Sequence, residues 1–185
     1  MSDEGKPLQP EHVFKKVIWR GTLSLSESTE HATTWSITGI AAIAGLFISN
    51  LDSVGKLVQP AGVRWSLIFF TGSLVAGAFS KQIGMAITKG LAMIEKVEGL
   101  LATEHGQALM DHMSTPPAQL ITELAEPFYW PLSTLMRRSG IEGMKDYLSA
   151  DKRFIRLFCA QLIFVYLHGI LAVAGFLCIA CSIVE

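Results

Sequence analysis

The sequence predicts an all-α integral membrane protein, with three transmembrane helices and a helical cytoplasmic region between the second and the third. Half of the 185 residues are hydrophobic and only 17% are charged, whereas soluble domains usually carry about a quarter charged residues. Three apolar segments reach or approach the roughly 20 residues that cross a ~30 Å hydrocarbon core. Lys and Arg are also unevenly distributed among the connecting segments, which predicts an orientation.

The N-terminal segment, residues 1–32, is polar and lacks the apolar stretch of a secretory signal peptide, so we expect the first span to be retained. Within it, PEHVFKKVIWRG places apolar and basic residues on opposite sides of a short helix. This amphipathic pattern is typical of a helix on an anionic membrane surface. The residues expected at that surface are Phe14, Lys15, Lys16, Trp19 and Arg20. Packing of the same helix on the cytoplasmic region is the alternative.

The first two spans are predicted at residues 33–51 and 61–80, joined by a short external loop at 52–60. The first span is uncharged and has Trp35 near its start, where aromatic side chains anchor helices at the membrane interface. The second follows Pro60, which suits the first turn of a helix. Its Arg64 is close enough to the helix end for the side chain to extend to the interface.

The cytoplasmic region, residues 81–156, begins with apolar residues at helical spacing from Ile83 to Leu101. This stripe predicts that the second helix continues to about Met113 and is covered by another surface. Pro116 and Pro117 then end that helix and open a short one, to about Ala125. Two further short helices are expected on either side of Ser139–Gly140.

Phe128, Tyr129 and Trp130 form the densest aromatic cluster in the chain and lie between Pro127 and Pro131. We call these three residues the aromatic cluster. Three adjacent aromatic side chains cannot all face one core, so they are candidates for an interface with lipid headgroups or a partner. A local core beneath a turn is the alternative.

The third span is predicted at residues 157–184, with Ser149 as the N-cap of its helix. All three cysteines, Cys159, Cys178 and Cys181, lie in this apolar segment. We therefore interpret them as small packing residues and not as a redox pair.

His168 lies near the middle of the third span and is the one intramembrane polar or pathway candidate of the sequence. It can act as a neutral hydrogen-bonding group between helices, line a pathway, or bind a cofactor. Its predicted hydrogen-bond partners in the other spans are Ser36, Thr38, Thr71 and Ser73. A proton relay would require a carboxylate at a similar depth, and none is expected there.

Small residues recur at four-residue spacing in each span and predict close helix packing, beyond one chain as well as within it. We call these positions the small-residue seams. They are Ala41, Gly45, Gly72, Ser73, Ala76, Gly77, Ala174, Cys178 and Ser182.

Lys and Arg are most frequent before the first span and between the second and third. By the positive-inside rule the N-terminus is cytoplasmic and the C-terminus is outside, which suits a bacterial inner membrane. The net charge of −1 gives no indication of nucleic-acid binding.

The sequence contains no nucleotide-binding, hydrolase or zinc motif. The predicted function is therefore that of a non-enzymatic subunit or scaffold of a membrane assembly, with no cofactor or metal, that acts through helix packing and a cytoplasmic docking surface. Its expected partners are the lipid bilayer and either further copies of the chain or other membrane subunits. A homo-oligomeric pore and a small redox or cofactor-binding subunit are the alternatives.

Overall fold

The structure, a computed structural model, describes residues 10–112, 115–145 and 148–183. Within these ranges the regular elements are α-helices, and Val58 and Ile183 form an isolated antiparallel bridge. The helices are α1 (Pro10–Leu23), α2 (Leu25–Ser49), α3 (Leu51–Leu57), α4 (Pro60–Leu101), α5 (Glu104–Asp111), α6 (Pro117–Ala125), α7 (Leu132–Lys145) and α8 (Ser149–Ala180).

The all-helical fold predicted from the sequence is confirmed for the described residues. Three helical stretches are long and apolar enough to cross a membrane: Pro10–Ser49, which comprises α1 and α2, and the helices α4 and α8. They contain the whole second predicted span and most of the first and third. The first helical stretch ends at Ser49, two residues before the predicted end of its span, and α8 ends at Ala180. Val184, the last residue of the predicted third span, and Met113 lie outside the described residues.

Several boundaries differ from the prediction. The predicted external loop contains α3, and α4 ends at Leu101 instead of continuing toward residue 113. Residues 132–145 form one helix, α7, and not two, and Gly140 of this helix packs against Ile121 of α6. Ser149 begins α8, but its buried hydroxyl makes no hydrogen bond within the described chain, so the predicted N-cap is wrong.

The described chain divides into two compact units. The first, which we call the charged unit, contains the chain up to Leu23 and Lys89–Arg156. The second, which we call the bundle, contains Ser24–Thr88 and the chain from Leu157 onward. The division cuts through α4 and α8, so each unit includes part of both helices.

In the bundle, α2 and α8 run parallel to each other and antiparallel to α4. Ser26 and Ser36 of α2 contact Gln161 and His168 of α8 in the same order. Along α4 the order is reversed: Gly62 faces Ser182, whereas Gly84 faces Gln161.

The buried positions of the bundle follow a seven-residue repeat. Those of α2 are Ser26, Thr33 and Ile40, and α4 buries a residue at alternating steps of three and four from Val63 to Ile87. A 3.5-residue period keeps one face of each helix against its neighbours over its whole length. The repeat therefore determines which side chains meet in the interior.

The charged unit contains α1, α5, α6, α7, the end of α4 and the first turns of α8. Leu23, Ala125 and Leu148 are buried in it, and α6 packs on α7. Phe154 of α8 lies against Gly90 of α4, where a Cβ would come within 2.6 Å of the ring. Gly90 thus permits the close approach of these two helices.

Candidate functional site

His168 joins the three long helices of the bundle. Its side chain is buried, its Nδ1 lies 2.7 Å from Ser73 Oγ on α4, and its Nε2 lies 2.9 Å from Ser36 Oγ on α2. Two of the four predicted partners, Ser36 and Ser73, are therefore confirmed. Thr38 and Thr71 instead donate to the carbonyl oxygens of Thr34 and Leu67 on their own helices.

The surroundings of His168 favour one tautomer of the neutral imidazole. Nδ1 lies 2.8 Å from the carbonyl oxygen of Ser73, which can only accept, so Nδ1 carries the proton. Ser73 Oγ in turn donates to the carbonyl oxygen of His168 at 2.8 Å. Nε2 is then the unprotonated nitrogen and accepts from the Ser36 hydroxyl. Ser73 thus orients the ring and leaves its basic atom toward α2.

A second polar contact between helices lies two turns along α8, at Gln161. Ser26 Oγ donates to Gln161 Oε1 at 2.7 Å, and Gln161 Nε2 donates to the Ser26 carbonyl oxygen at 3.3 Å. Both side chains are buried. Gly84 of α4 faces the amide so closely that a Cβ there would lie 2.6 Å from Nε2.

Gln161 was missed as a candidate site residue. It lies four residues into the predicted third span, where a polar side chain can be explained by proximity to the interface. The available signal was its spacing of seven residues from His168, together with serines at the same spacing on α4: Ser66, Ser73 and Ser80. Seven-residue spacing places residues on one helix face.

A groove on the surface of the bundle leads to His168. It has a volume of about 520 Å³ and is lined by α2 and α8 residues that include Ser28, Thr33, Ser36 and His168. Its walls are largely apolar, because Ala32, Leu162 and Val165 also line it. The hydroxyls and the imidazole therefore form a small polar region within an apolar surface.

The small-residue seams occupy different environments in the bundle. Ser73, Ala76 and Gly77 are buried, and a Cβ on Gly77 would meet Ile37 and His168 at about 3 Å. A Cβ on Gly72 would lie 3.5 Å from the Leu171 side chain, an ordinary van der Waals contact. Ala41 and Gly45 are exposed, and nothing lies within 4 Å of a Cβ on Gly45. Ala174, Cys178 and Ser182 are half-buried, with Ser182 against Gly62.

The three cysteines are free: Cys159 and Cys181 are exposed and Cys178 is half-buried. Among the described residues no group of three or more His, Cys, Asp or Glu side chains is arranged to hold a metal ion.

Two of the basic residues expected at a membrane surface bind a carboxylate inside the charged unit. Lys16 Nζ and Arg20 Nη2 each lie 2.8 Å from Glu98 Oε1. Arg20 also donates from Nη1 to Glu98 Oε2 at 2.9 Å and reaches the buried Asp151 at 3.5 Å. For Lys16 and Arg20 these contacts favour the alternative to the membrane surface, which is packing of the helix on the region between the second and third spans.

The ion pairs shift the pKa values of Arg20 and Glu98. Hydrogen bonding to Glu98, reinforced by the charges of Glu98 and Asp151, raises the pKa of Arg20 despite its partial burial. Hydrogen bonds from Arg20 and then from Lys16 lower the pKa of Glu98 below its ordinary value of 4.5. Glu98 therefore stays ionised to a more acidic pH than an ordinary glutamate.

The apolar side of α1 faces outward, whereas an amphipathic helix of a soluble protein buries its apolar side. Phe14 and Val17 are about two-thirds exposed, Lys15 is exposed, and Trp19 is half-buried. The charged side chains at Lys16 and Arg20 thus face the unit while an apolar side faces outward.

The aromatic cluster lies on the surface of the charged unit. Tyr129 and Trp130 are 91% and 82% exposed, and Phe128 is 41% exposed. These fractions contradict the alternative of a local core beneath a turn. Exposed apolar residues on the same unit include Met93, Leu100, Leu124 and Leu135.

Comparison of the chain with protein-family models, with curated proteins and with solved structures gives no match.

Proposed function

We propose that the chain is a three-span membrane protein that acts as a subunit or scaffold of a membrane assembly. The observation that carries this proposal is the distribution of polarity in the bundle. Ser26, Ser73, Ser80, Gln161 and His168 are buried inside it. Its outward residues are instead large and apolar, among them Leu46, Ile48, Val75, Ile163, Ile170, Val173 and Leu177.

This distribution is the reverse of that in a water-soluble bundle, which places polar side chains outside. In a hydrocarbon environment the outer face is already in a favourable solvent, and polar groups between helices stabilise their association. The proposed spans lie within α2, α4 and α8. From the Lys and Arg distribution we propose that the N-terminus and the charged unit are cytoplasmic and that the loop around α3 and the C-terminus are outside.

The proposed docking surface is the aromatic cluster on the charged unit. Trp and Tyr are enriched at the energetic centres of protein interfaces because they bury much area at low entropic cost. Two such side chains, more than four-fifths exposed, are unfavourable unless something covers them. We propose another protein subunit as the occupant.

The experiment is site-specific photo-crosslinking of the full chain in native membranes. A benzophenone amino acid at Tyr129 should give a discrete crosslinked product that the Trp130→Ala variant loses. Arg137, an exposed position of α7 on the same unit, provides the matched control position and should give none. Recovery of the chain from the soluble fraction would contradict membrane insertion, whereas equal crosslinking at the two positions would contradict only the docking surface.

The second candidate function is a homo-oligomeric pore. The groove beside His168 favours it, because Ser28, Ala32 and Ser36 give α2 an exposed face of small and hydroxyl-bearing residues. Several copies with this face inward would form a polar lumen. Native mass spectrometry of the chain purified alone in mild detergent tests this, since a pore requires a discrete ring-sized oligomer.

A further inference from the structure

The interior of the bundle has a polar half and an apolar half, with His168 at their boundary. The hydrogen bonds between helices lie on one side: Ser26 with Gln161, and then His168 with Ser36 and Ser73. On the other side Ile40, Phe70 and Ala172 form a buried apolar cluster. Ala172 lies one turn beyond His168, and Phe70 lies one turn from Ser73, so the cluster directly follows the polar half.

Ser80 lies in the middle of the polar half and is fully buried. It lies three residues from Gly77, which packs against His168, and four from Gly84, which packs against Gln161. These steps correspond to about 4.5 Å and 6 Å along the helix axis. Its Oγ has no hydrogen-bond partner within the described chain. Buried hydroxyls without a protein partner commonly bind ordered water.

Gln161 supplies a complementary group near Ser80. Its amide nitrogen carries two N–H groups, and the Ser26 carbonyl oxygen accepts one of them. The contact with Gly84 places this nitrogen against α4, one turn from Ser80. A molecule that both accepts and donates hydrogen bonds would satisfy Gln161 and Ser80 together. Water has this chemistry.

We propose that the bundle binds internal water at Ser80 and that, in a bilayer where the groove beside Ser36 faces lipid, this hydrated half brings protons to His168 from the Ser26–Gln161 end. The apolar cluster of Ile40, Phe70 and Ala172 closes the path beyond His168. This inference goes beyond the proposed function, because it assigns a proton-accepting site to the bundle itself.

His168 is arranged to receive such a proton. Nδ1–H is bound to Ser73, so the lone pair of Nε2 is the acceptor and faces the Ser36 hydroxyl at 2.9 Å. A hydronium ion gives a proton to Ser36 Oγ while the Ser36 hydroxyl passes its own proton to Nε2. The products are water, a neutral Ser36 and an imidazolium that donates to both Ser73 and Ser36.

Glu30 is an ionisable residue of α2 that packs against the polar half. Its Cβ lies 3.3 Å from the position of a Cβ on Gly84, at the level of Gln161. The buried residues that α4 and α8 contribute to the polar half, Ser73, Ser80 and Gln161, are neutral. Glu30 is therefore placed where a proton would enter, about six residues or 9 Å along α2 from Ser36.

The experiment is hydrogen–deuterium exchange at the His168 ring, measured by nitrogen-15 solid-state NMR of the full chain in lipid bilayers. The His168→Asn variant identifies the resonance among the five histidines. We expect the ring N–H of His168 to exchange with deuterated water, and Ser80→Ala to slow that exchange by about tenfold or more. Alanine removes the hydroxyl that binds the water, so water is held less well at this position.

Ser66→Ala is the matched control, because Ser66 is a buried serine of the same helix whose hydroxyl donates to the Val63 carbonyl oxygen. It should leave exchange at His168 unchanged. Equal exchange rates in the parent, Ser66→Ala and Ser80→Ala proteins would overturn the path through Ser80. A His168 ring that retains its proton as long as the backbone amides around Phe70 would overturn water access altogether.

Discussion

Ser73 and His168 are bound to each other through both their side chains and their backbones. Ser73 Oγ lies 2.7 Å from Nδ1 and donates to the His168 carbonyl oxygen at 2.8 Å, while Nδ1–H is within 2.8 Å of the Ser73 carbonyl oxygen. The two residues are 95 positions apart in the sequence. This reciprocal contact fixes the register of α4 against α8 and the tautomer of the imidazole.

We expect His168→Ala and Ser73→Ala each to lower the free energy of unfolding of the bundle. We also expect the two effects to be coupled, because both variants remove the same contact. His168→Ala removes the ring N–H that faces Ser73 Oγ and the Ser73 carbonyl oxygen, and Ser73→Ala leaves Nδ1–H with only that carbonyl. Hydrogen bonds between membrane helices contribute about 0.6 kcal/mol on average and up to about 1.7 kcal/mol. We expect a coupling free energy near the upper end of that range, since several contacts are shared.

A double-mutant cycle measures this coupling from the free energies of unfolding of the parent, the two single variants and the double variant. Thr71→Ala with His168→Ala is the control cycle, because Thr71 bonds only its own helix. A coupling energy no larger than that of the control would show that the Ser73 contact contributes nothing to stability.

Replacing Gly84 and Gly45 with alanine should change the stability of the bundle in opposite directions. A Cβ at Gly84 would lie 2.6 Å from the Gln161 amide, whereas nothing lies within 4 Å of one at Gly45. Overpacking a tight interior typically costs about 1–3 kcal/mol, and glycine to alanine at an open helix position gains up to about 1 kcal/mol. Thermal unfolding in detergent should therefore show a lower Tm for Gly84→Ala and an unchanged or higher Tm for Gly45→Ala.

Gly45→Leu distinguishes contacts within the chain from contacts between copies. Gly45 is exposed, so leucine fits without disturbing the bundle, and a change in particle size would report a seam with another molecule. Gly72→Leu also tests association, but its side chain would press on Leu171. We expect Gly45→Leu to reduce association in mild detergent while preserving Tm. Retention of the parent's size by both variants, measured by native mass spectrometry, would refute these two seams.

The hydrogen-bond partners of His168 could be predicted from the sequence only in part. Ser36, Thr38, Thr71 and Ser73 were equally plausible partners of His168, because each lies in a predicted span. The rotation of each helix about its axis decides among them, and the seven-residue repeat of buried residues sets that rotation. The repeat is visible in α4 as serines at 66, 73 and 80. The repeat identifies the partners of His168 only once the facing helices are known.

The orientation of α1 was not predictable in the same way. Its sequence has an apolar side and a basic side, and either can face inward if the partner surface is suitable. The inward side is decided by Glu98 and Asp151, which lie 78 and 131 residues from Arg20. Such long-range pairing leaves no local signal, so a membrane-surface helix and a packed helix have the same sequence pattern.

The ion pairs of Glu98 predict a pH dependence of the charged unit. Because the pKa of Glu98 is lower in the folded state than its ordinary value of 4.5, the unfolded state binds a proton more readily at acidic pH. By linkage, the stabilisation is fully present above pH of about 4.5 and is lost as the pH falls through the lower, folded-state value. Glu98 is partly exposed, so salt should weaken the effect.

Glu98→Gln removes the titrating group and keeps the size of the side chain. We expect this variant to be less stable than the parent at pH 7 and to lose less stability between pH 5 and pH 3. Glu123→Gln is the control, since Glu123 is an exposed carboxylate that accepts a hydrogen bond from the neutral Gln119 at 3.0 Å. Protease resistance of the charged unit across this pH range provides the measurement. Parallel pH profiles for the parent and Glu98→Gln would mean that the contacts of Lys16 and Arg20 with Glu98 do not stabilise the unit.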